Sequence, residues 1–332
     1  MSGINHYKLT NTMTEIILLK KVLLVLLIIC ISGCKQKISM VTPDLNLASG
    51  TVERFPDFKS DYVTARNIDI WLPDDFNRYE IYSVIYMHDG QMLFDSITTW
   101  NNQEWCVDET IGRLINERRI HKCIIVGIWN SGQGRHSDYF PGKPYSNIPD
   151  EYLDSLMRKS EQNNQPVIFA DGVNSDNYLK FIVKELKPFI DNRYPTMPDR
   201  ENTFIAGSSM GGLISMYAIC EYPEVFGGAA CLSTHWIGTF EADNNPVPSL
   251  FIEYLGTNLP DPATHKLYFD FGTETLDSLY EPYQLQADSI IFSGGYDESN
   301  YLSLKYENRD HSESSWAERL HIPLVFLIGI EE

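Results

Sequence analysis

Residues 203–212 read TFIAGSSMGG, and the expected fold follows from this stretch. Its first four residues are a short apolar, strand-like run, and the segment that follows it has the spacing of an apolar helix. Between them lies Gly-x-Ser-x-Gly, the pattern of a serine held on a sharp strand-to-helix turn. Side chains at Gly207 and Gly211 are expected to collide with neighbouring backbone. The stretch therefore predicts Ser209 as a nucleophile, with the Met210 amide at the helix N-terminus facing developing negative charge.

A serine hydroxyl is a weak nucleophile without an adjacent base. In proteins built on this motif, the acid and then the histidine follow the serine along the chain. His311 lies in the sequence NRDHSE, after the last strand-like run and before a helix-like segment, and is the candidate base. We expect His235 to form pocket wall, His321 to be a satisfied structural histidine and His265 to lie in a surface loop.

The third member of such a triad is a carboxylate that orients the imidazole and stabilises its cation. It is expected after the strand-like residues 267–271, where Glu274 and Asp277 are the candidates. We favour Asp277 and keep Glu274 as the alternative acid. The carboxylate that is not used then serves as a helix N-cap or as a solvated charge.

A second amide for the oxyanion normally comes from the loop after the third strand. Here an apolar, strand-like run is followed by His-Asp-Gly-Gln, so the amide of Gln91 or Gly90 is expected to serve beside that of Met210. His88 and Asp89 do not predict a metal site, because no second ligand pair with suitable spacing accompanies them. The sequence thus predicts neither a metal nor a cofactor.

Strand-like and helix-like segments alternate from about residue 52 onward. This alternation predicts an α/β fold with a doubly wound, mostly parallel sheet in a three-layer αβα arrangement. Residues 130–175 interrupt it with many Gly, Pro, Asn, Asp and Ser residues, which indicates a lid or substrate loop. The expected strands are 63–72, 81–87, 123–129, 203–206, 228–232, 267–271 and 301–306, and the expected helices are 104–117, 176–194, 211–221, 247–255, 280–292 and 314–320.

The N-terminus predicts export. Two lysines precede an unbroken apolar run at residues 22–31, which is too short to span a bilayer comfortably and resembles a secretory signal. Ile-Ser-Gly-Cys then resembles a bacterial lipobox. We therefore expect residues 1–33 to be a lipoprotein signal peptide and Cys34 to be lipidated, anchoring an exported protein that faces the periplasm or the cell surface. A flexible tether at 34–50 would lead to a catalytic domain at 51–332. The alternatives are a plain cleaved signal or a buried N-terminal helix.

Charge and cysteine spacing exclude several classes of partner. The chain has 332 residues and a formal net charge of −19. No Lys/Arg cluster downstream of the N-terminus provides the basic face that nucleic acids require, so no nucleic-acid partner is expected. The acidity also disfavours polyanionic substrates. The later cysteines match no zinc spacing, and Cys123, Cys220 and Cys231 are expected to be buried free thiols.

The motifs above combine with other short segments into a wider pattern. The segments are 65–73 (ARNIDIWLP), 88–91 (HDGQ), 178–181 (YLKF), 185–191 (ELKPFID), 207–212 (GSSMGG) and 310–313 (DHSE) with Trp316. Together they resemble the esterase family that includes enterochelin esterases, feruloyl and acetylxylan esterases and S-formylglutathione hydrolase. The resemblance covers about residues 50–330. It implies the α/β-hydrolase fold, a triad of Ser209, His311 and an acid, and acyl-ester substrates. The family often shows Gly-Thr-x-Asp at the acid, and Thr275 stands in that aspartate's place here.

The implied reaction is two-step acyl transfer through an acyl-enzyme that water hydrolyses. The expected partners are a small-molecule or carbohydrate ester, namely an acylated carbohydrate, a phenolic ester or a siderophore ester, and a lipid bilayer reached through the acylated N-terminus. The candidate substrate-binding residues are Trp236, His235, Trp100, Tyr139 and Arg135. Two alternatives stay open: an acyltransferase on the same fold, and a non-catalytic lipoprotein that binds carbohydrates or siderophores.

Overall fold

The computed structural model describes residues 39–162, 169, 172–239 and 241–330 of the chain. The predicted signal peptide, Cys34 and the beginning of the predicted tether lie outside these residues. Of the described helices, none combines the length and the apolar composition that a bilayer span requires.

The described strands pair into a single eight-stranded sheet. The strands are β1 Thr51–Phe58, β2 Arg66–Leu72, β3 Ser83–His88, β4 Cys123–Ile128, β5 Thr203–Ser208, β6 Gly228–Leu232, β7 Lys266–Gly272 and β8 Tyr301–Tyr306. Their order is β1-β2-β4-β3-β5-β6-β7-β8. All pairs from β4 to β8 are parallel, while β1 and β2 form an antiparallel edge. The mostly parallel sheet expected from the alternating pattern is confirmed.

Apolar layers cover both faces of this sheet. Alternate residues of a strand point to opposite faces, and in β3 the side chains of Val84 and Tyr86 join one apolar cluster whereas Ile85 and Met87 join another. The helices that supply these layers are α1 Val107–Asn116, α2 Arg135–Tyr139, α3 Gly142–Tyr145, α4 Asp150–Gln162, α5 Ser175–Lys180, α6 Lys187–Arg193, α7 Met210–Glu221, α8 Val247–Asn258, α9 Glu281–Ser293, α10 Glu313–Arg319 and α11 His321–Ile328. The arrangement is therefore the expected three-layer α/β fold.

The order of the strands creates a crevice. The chain passes from β3 to β4 on one side and then crosses to β5 on the other side of β3. Where the connections of a parallel sheet diverge in this way, the loops at the carboxyl ends of the two strands leave a gap that binds ligands. The loops that follow β3 and β5 begin at Asp89 and Ser209. The topology thus brings the predicted oxyanion loop and the predicted nucleophile together.

Several segments differ from the predictions. The expected strands and helices agree with the structure to within three residues at each end, but β1 and α11 were not predicted and a π-helical turn at Phe181–Leu186 separates α5 from α6. The segment 130–175, expected to be irregular, contains α2, α3 and α4. Asp138 of α2 is buried and pairs with Arg66 at 3.0 Å, a contact between distant residues that composition does not reveal.

Residues 40–50 also differ from the flexible tether expected over 34–50. The backbones of Val41 and Arg54 form two hydrogen bonds of 2.9 and 2.8 Å. The amide of Ala48 donates to Asp108 of α1 at 2.7 Å. Leu45 and Leu47 pack against the apolar cluster on that face of the sheet. This part of the segment is bound to the domain, because its leucines are covered and its amides have partners.

Candidate active site

Ser209 occupies the sharp turn that its motif predicts. Strand β5 ends at Ser208 and α7 begins at Met210, so one residue makes the whole connection. Its backbone angles are φ 57° and ψ −121°, a combination that side-chain-bearing residues rarely adopt and that is stored as strain at functional sites. Two hydrogen bonds hold it: its N–H donates to the Leu232 carbonyl at 2.9 Å, and its carbonyl accepts from the His235 N–H at 3.1 Å.

The glycines of the motif have different roles. A Cβ at Gly207 would stand 2.7 Å from the backbone of Gly211, which explains the glycine at that position. The predicted collision at Gly211 is wrong, since a Cβ there would meet its nearest neighbour, His88, at 3.4 Å. Gly212 is tighter, because its Cβ would come within 3.0 Å of the Leu232 carbonyl.

Of the two candidate acids, Asp277 is the one beside the histidine. Its Oδ1 lies 2.5 Å from Nδ1 of His311, and the residue is fully buried. Its Oδ2 accepts hydrogen bonds from the Ser233 hydroxyl at 2.6 Å and from the Gly272 amide at 2.5 Å. Glu274 is exposed. A buried carboxylate with several donors orients an imidazole and stabilises its cation, whereas an exposed glutamate beside the loop does neither.

Aromatic rings fix the plane of the His311 ring. Trp316 and Tyr280 both meet it nearly edge-on, with ring centroids 5.0 and 5.9 Å away and interplanar angles of 85° and 75°. The backbone amide of His311 donates to the hydroxyl of Thr275 at 2.9 Å. In the family that the sequence resembles, an aspartate often stands at the position of Thr275. Threonine has no carboxylate, and its hydroxyl here binds the backbone of the loop that carries His311.

The predicted oxyanion donors lie at the start of helical segments. Met210 is the first residue of α7, so its amide has no partner within the helix. Gly90 and Gln91 open a short 3-10 helix after β3. Gly90 is buried, and a Cβ there would stand 2.5 Å from the Gly127 backbone of β4. Gln91, in contrast, lines the cavity that also contains Ser209. The geometry favours Gln91 as the second donor.

An ion pair with Arg135 holds Asp89, the residue that precedes the predicted donors Gly90 and Gln91. Asp89 adopts the left-handed conformation with φ 55°. Arg135 donates to both of its carboxylate oxygens at 2.7 Å, and Asn130 donates to one of them at 2.7 Å. Burial acts to raise the pKa of Asp89, but the charge and hydrogen bonds of Arg135 outweigh it, so the pKa is lowered and the carboxylate stays ionised.

Ser209 and His311 open into one cavity of about 680 Å³. Its wall is rich in amide, carboxylate and hydroxyl groups, with indole rings among them. The cavity is lined by Asp89, Gln91, Met92, Trp100, Asn101, Gln103, Trp105, Asn130, Gly132, Arg135, Ser208, Ser209, His311, Ser312, Glu313 and Trp316. A cavity of this size and polarity accommodates a ligand larger than a simple acetyl ester.

Two of the five predicted substrate-binding residues line this cavity. They are Trp100, which is 82% exposed, and Arg135, whose guanidinium is bound to Asp89. An indole this exposed at the mouth of a polar cavity is available for stacking against a ligand ring.

The other three predictions of substrate contact are not supported, because these side chains are buried elsewhere. Trp236 lies in the core and its indole N–H donates to Gln284 at 2.9 Å. Nδ1 of His235 is 2.7 Å from the Tyr280 hydroxyl, and burial holds the pKa of His235 well below its ordinary value. The hydroxyl of Tyr139, also fully buried, accepts a hydrogen bond from the backbone of the oxyanion loop. A sequence pattern does not distinguish buried aromatic residues of this kind from residues that line a cavity.

The prediction of a surface loop for His265 is wrong. This histidine is only 3% exposed. Its Nε2 is 2.8 Å from the carbonyl of Pro223, and its Nδ1 is 2.9 Å from that of Asp261. It joins two loops and lies outside the cavity.

Among the residues that the structure describes, side chains capable of holding a metal ion come together at one place. Ligand atoms of Glu104, Cys106 and Glu109 lie within 4.8 Å of one another. Burial raises the pKa of Cys106 to about 11, so its thiol is protonated at neutral pH. Acidic side chains at the start of α1 are favourable without a metal, because the helix N-terminus attracts negative charge.

Comparison with known proteins identifies the family of this chain. A sequence model of the family Esterase, described as "Putative esterase", matches residues 62–321. The chain belongs to this esterase family. Esterases hydrolyse carboxylic esters, so the family sets the class of reaction.

Relatives of this esterase support the same fold. The uncharacterized protein YjcH of Bacillus subtilis (strain 168) is 24% identical over 179 residues, which cover 54% of this chain and 60% of YjcH. A ferulic acid esterase from Anaeromyces mucronatus, in complex with ferulic acid, is similar in structure with a TM-score of 0.58 and 16% identity, covering 89% of this chain and 96% of that one. An IroE-like serine hydrolase from Shewanella oneidensis gives a TM-score of 0.60 at 19% identity, covering 83% and 79%. At these identities the likeness establishes the α/β-hydrolase fold.

Sequence reasoning missed three residues around the site of this esterase: Asn130, Ser233 and Tyr280. The first two follow directly after or close to the ends of β4 and β6. Carboxyl ends of parallel strands meet at one edge of a sheet, so polar residues just beyond each predicted strand could have been identified as candidates. Tyr280 has no such signal, because it lies at the start of a helix and reaches the site through the fold.

Proposed function

We propose that this esterase hydrolyses carboxylic esters through a triad of Ser209, His311 and Asp277. The observation that carries the proposal is the contact of the buried Asp277 carboxylate with His311, which lines the same cavity as a serine on a strained turn. Two-step acyl transfer needs a base beside an exposed serine and a carboxylate behind the base. These are the groups that the fold collects at the carboxyl ends of β5, β7 and β8.

The proposed reaction begins when neutral Nε2 of His311 takes the proton of the Ser209 hydroxyl. The Ser209 oxygen then bonds to the ester carbonyl carbon, and the negative charge on the carbonyl oxygen is stabilised by the amides of Met210 and Gln91. His311 gives its proton to the departing alcohol as the C–O bond breaks. Water repeats the sequence on the acyl-enzyme, which releases the acid and restores Ser209.

The proposed substrate is an acylated carbohydrate, a phenolic ester or a siderophore ester. The cavity supports this choice, because its wall carries amides and carboxylates that bind hydroxyl groups and its mouth holds the exposed ring of Trp100. One neighbour in structure was solved with ferulic acid, a phenolic acid. A panel of purified acetyl, feruloyl and catecholate esters tests the substrate, and equal rates on all three would contradict selection by the cavity.

Covalent labelling tests the mechanism. We expect a fluorophosphonate to label the wild type stoichiometrically and Ser209→Ala not at all. Ser215→Ala is a matched control, because this buried hydroxyl of α7 bonds to the Gly211 carbonyl of its own helix at 2.7 Å. A folded wild-type protein that neither reacts with the probe nor hydrolyses any ester would refute the proposal. Acceptance of the acyl group by an alcohol in preference to water would indicate an acyltransferase.

We also propose that the chain is an exported lipoprotein, on the basis of its first 34 residues alone. The test is membrane fractionation of cells that express the full chain or Cys34→Ser. We expect the full chain in the membrane fraction and the variant outside it. Equal membrane association of the two proteins would exclude Cys34 as the anchor.

A further inference from the structure

Ser233 is a buried polar residue that no step above uses. It follows β6 directly, is fully buried and adopts the left-handed region with φ 43°. Its amide donates to Asp270, at 2.8 Å to the carbonyl and 3.1 Å to the carboxylate. A side chain in this conformation costs backbone strain that glycine would avoid, so its hydroxyl is the group that explains its presence.

The chemistry of its three neighbours fixes the direction of every hydrogen bond at the Ser233 hydroxyl. The indole Nε1–H of Trp316 and a guanidinium N–H of Arg319 each lie 2.9 Å from Oγ, and both groups can only donate. The third neighbour is Oδ2 of Asp277 at 2.6 Å, a carboxylate that only accepts. The Ser233 proton must therefore point at Asp277.

Arg319 is held in place by a second acid. It is 3% exposed and donates to both carboxylate oxygens of Asp270 at 3.1 and 3.0 Å. Burial acts to lower the pKa of Arg319, but Asp270 outweighs it and the pKa is raised, so the cation persists. A second contact of Arg319, 4.0 Å to Asp277 Oδ2, places this charge beside the triad acid as well.

These contacts close a ring around the base. His311 contacts Asp277, Asp277 accepts from Ser233, Ser233 accepts from Trp316, and the Trp316 ring packs against His311 at 5.0 Å. Trp316 and Arg319 both belong to α10, which starts two residues after His311. Helix α10 therefore contacts His311 through the Trp316 ring and contacts Asp277 through the Ser233 hydroxyl.

We propose that Ser233 is a positioning residue of the triad, which holds the Asp277 carboxylate in the orientation that His311 requires by coupling it to Trp316 and Arg319. This inference rests on the proposed hydrolase function. Ser233 is fully buried and does not line the cavity, so its removal should lower kcat with little effect on KM. Loss of one hydrogen bond to a buried charge predicts a decrease in kcat of about 10- to 100-fold.

Two variants separate this role from stability. Ser233→Ala and Ser233→Gly both remove the hydroxyl, and glycine also relieves the strain at φ 43°, so at least one of them should keep the folded state. Ser83→Ala is the matched control, because this buried serine donates to Asn202 at 2.9 Å at the amino end of β3, whereas the cavity lies beyond the carboxyl ends of the strands. We expect both Ser233 variants to lose kcat to a similar extent and Ser83→Ala to keep it.

A double-mutant cycle with Asp277→Asn then tests whether Ser233 acts through the acid. If it does, adding Ser233→Gly to Asp277→Asn should cause no further loss of kcat. An equal loss in both backgrounds, or wild-type kcat in Ser233→Gly alone, would overturn the proposal.

A measurement without substrate distinguishes this inference from the proposed function. The hydrogen-bonded Nδ1 proton of His311 is expected as a far-downfield proton NMR signal in the wild type and in Ser83→Ala, and it should shift or broaden in Ser233→Gly. An unchanged signal in a folded Ser233→Gly variant would overturn the positioning role. A wild type that shows this signal but hydrolyses no ester would contradict the hydrolase function. In that case, the comparison of the wild-type and Ser233→Gly spectra would still show whether Ser233 is coupled to His311.

Discussion

Replacing Asp277 with asparagine keeps the size of the side chain and removes its charge. Both partners of Oδ2, the Ser233 hydroxyl and the Gly272 amide, are donors at 2.6 and 2.5 Å. The amide oxygen of the variant must therefore face these donors, and its NH₂ group must face Nδ1 of His311. Nδ1 then has to accept, which moves the ring proton to Nε2. An imidazole with its proton on that side cannot accept the proton of Ser209.

The expected result is a fall in kcat of about 10⁴-fold, the order of magnitude that a wrong histidine tautomer causes in serine hydrolases. The assay is steady-state hydrolysis of a chromogenic aryl ester, with thermal unfolding recorded in parallel. Glu274→Gln is the matched control, because it removes one exposed carboxylate from the same loop. Asp277→Asn that retains activity within tenfold of the wild type, or Glu274→Gln that loses it, would refute the assignment of the acid.

Three further predictions concern the turn, the cavity and the pH dependence of folding. Gly207→Ala should lower the melting temperature and abolish fluorophosphonate labelling, because its Cβ would stand 2.7 Å from the backbone of Gly211. Gly211→Ala should have a much smaller effect, because the nearest neighbour of its Cβ is at 3.4 Å. Equal effects of the two substitutions on labelling and on the melting temperature measured by calorimetry would contradict this prediction. Trp100→Ala should raise KM for a cyclic or aromatic ester and change the free energy of unfolding by less than about 0.5 kcal/mol, because the ring is 82% exposed; an unchanged KM across the ester panel would exclude stacking. Burial lowers the pKa of His88 from 6.5 to about 3. Between these two pH values, His88 is protonated in the unfolded chain and neutral in the folded chain. The free energy of unfolding should therefore fall as the pH drops from 6.5 toward 3. This group contributes a slope of about 1.4 kcal/mol per pH unit, and urea titrations of His88→Gln that show the same slope as the wild type would show that the wrong group was chosen.

The local motifs allowed good predictions of the strands and of the sharp turn at Ser209. Gly-x-Ser-x-Gly between a strand and a helix is a short-range signal, because the steric demands of the turn involve residues only a few positions apart. The parallel strands were recognisable because burial on both faces requires continuous apolar runs. The first strand was not predicted, since its burial is interrupted and a proline and a positive-φ aspartate break its pairing register.

The residues that line the cavity were predicted less well. Trp100 and Trp236 are the same residue type in loops, yet one is exposed at the cavity and the other is fully buried. The difference depends on which helices cover each loop, and a single sequence does not encode that in any local pattern. Helix α2 in the segment 130–175 was missed for the same reason, because its Asp138 forms a buried ion pair with Arg66 of a distant strand.

The sequence by itself indicated the class of fold, the sharp turn at Ser209 and the place of His311 after the last strand, since each depends on neighbours along the chain. Only the tertiary structure showed that Asp277 contacts His311 while Glu274 is exposed, that Gln91 lines the cavity while Gly90 packs against β4, and that Ser233 bonds to Asp277. Asp277 and His311 are separated by 34 residues and Ser233 lies 44 residues before Asp277. Hydrogen bonds between such distant groups form because the parallel strands bring their carboxyl ends to one edge of the sheet. The order and register of the strands depend on the packing of all three layers, and no short stretch of sequence sets them.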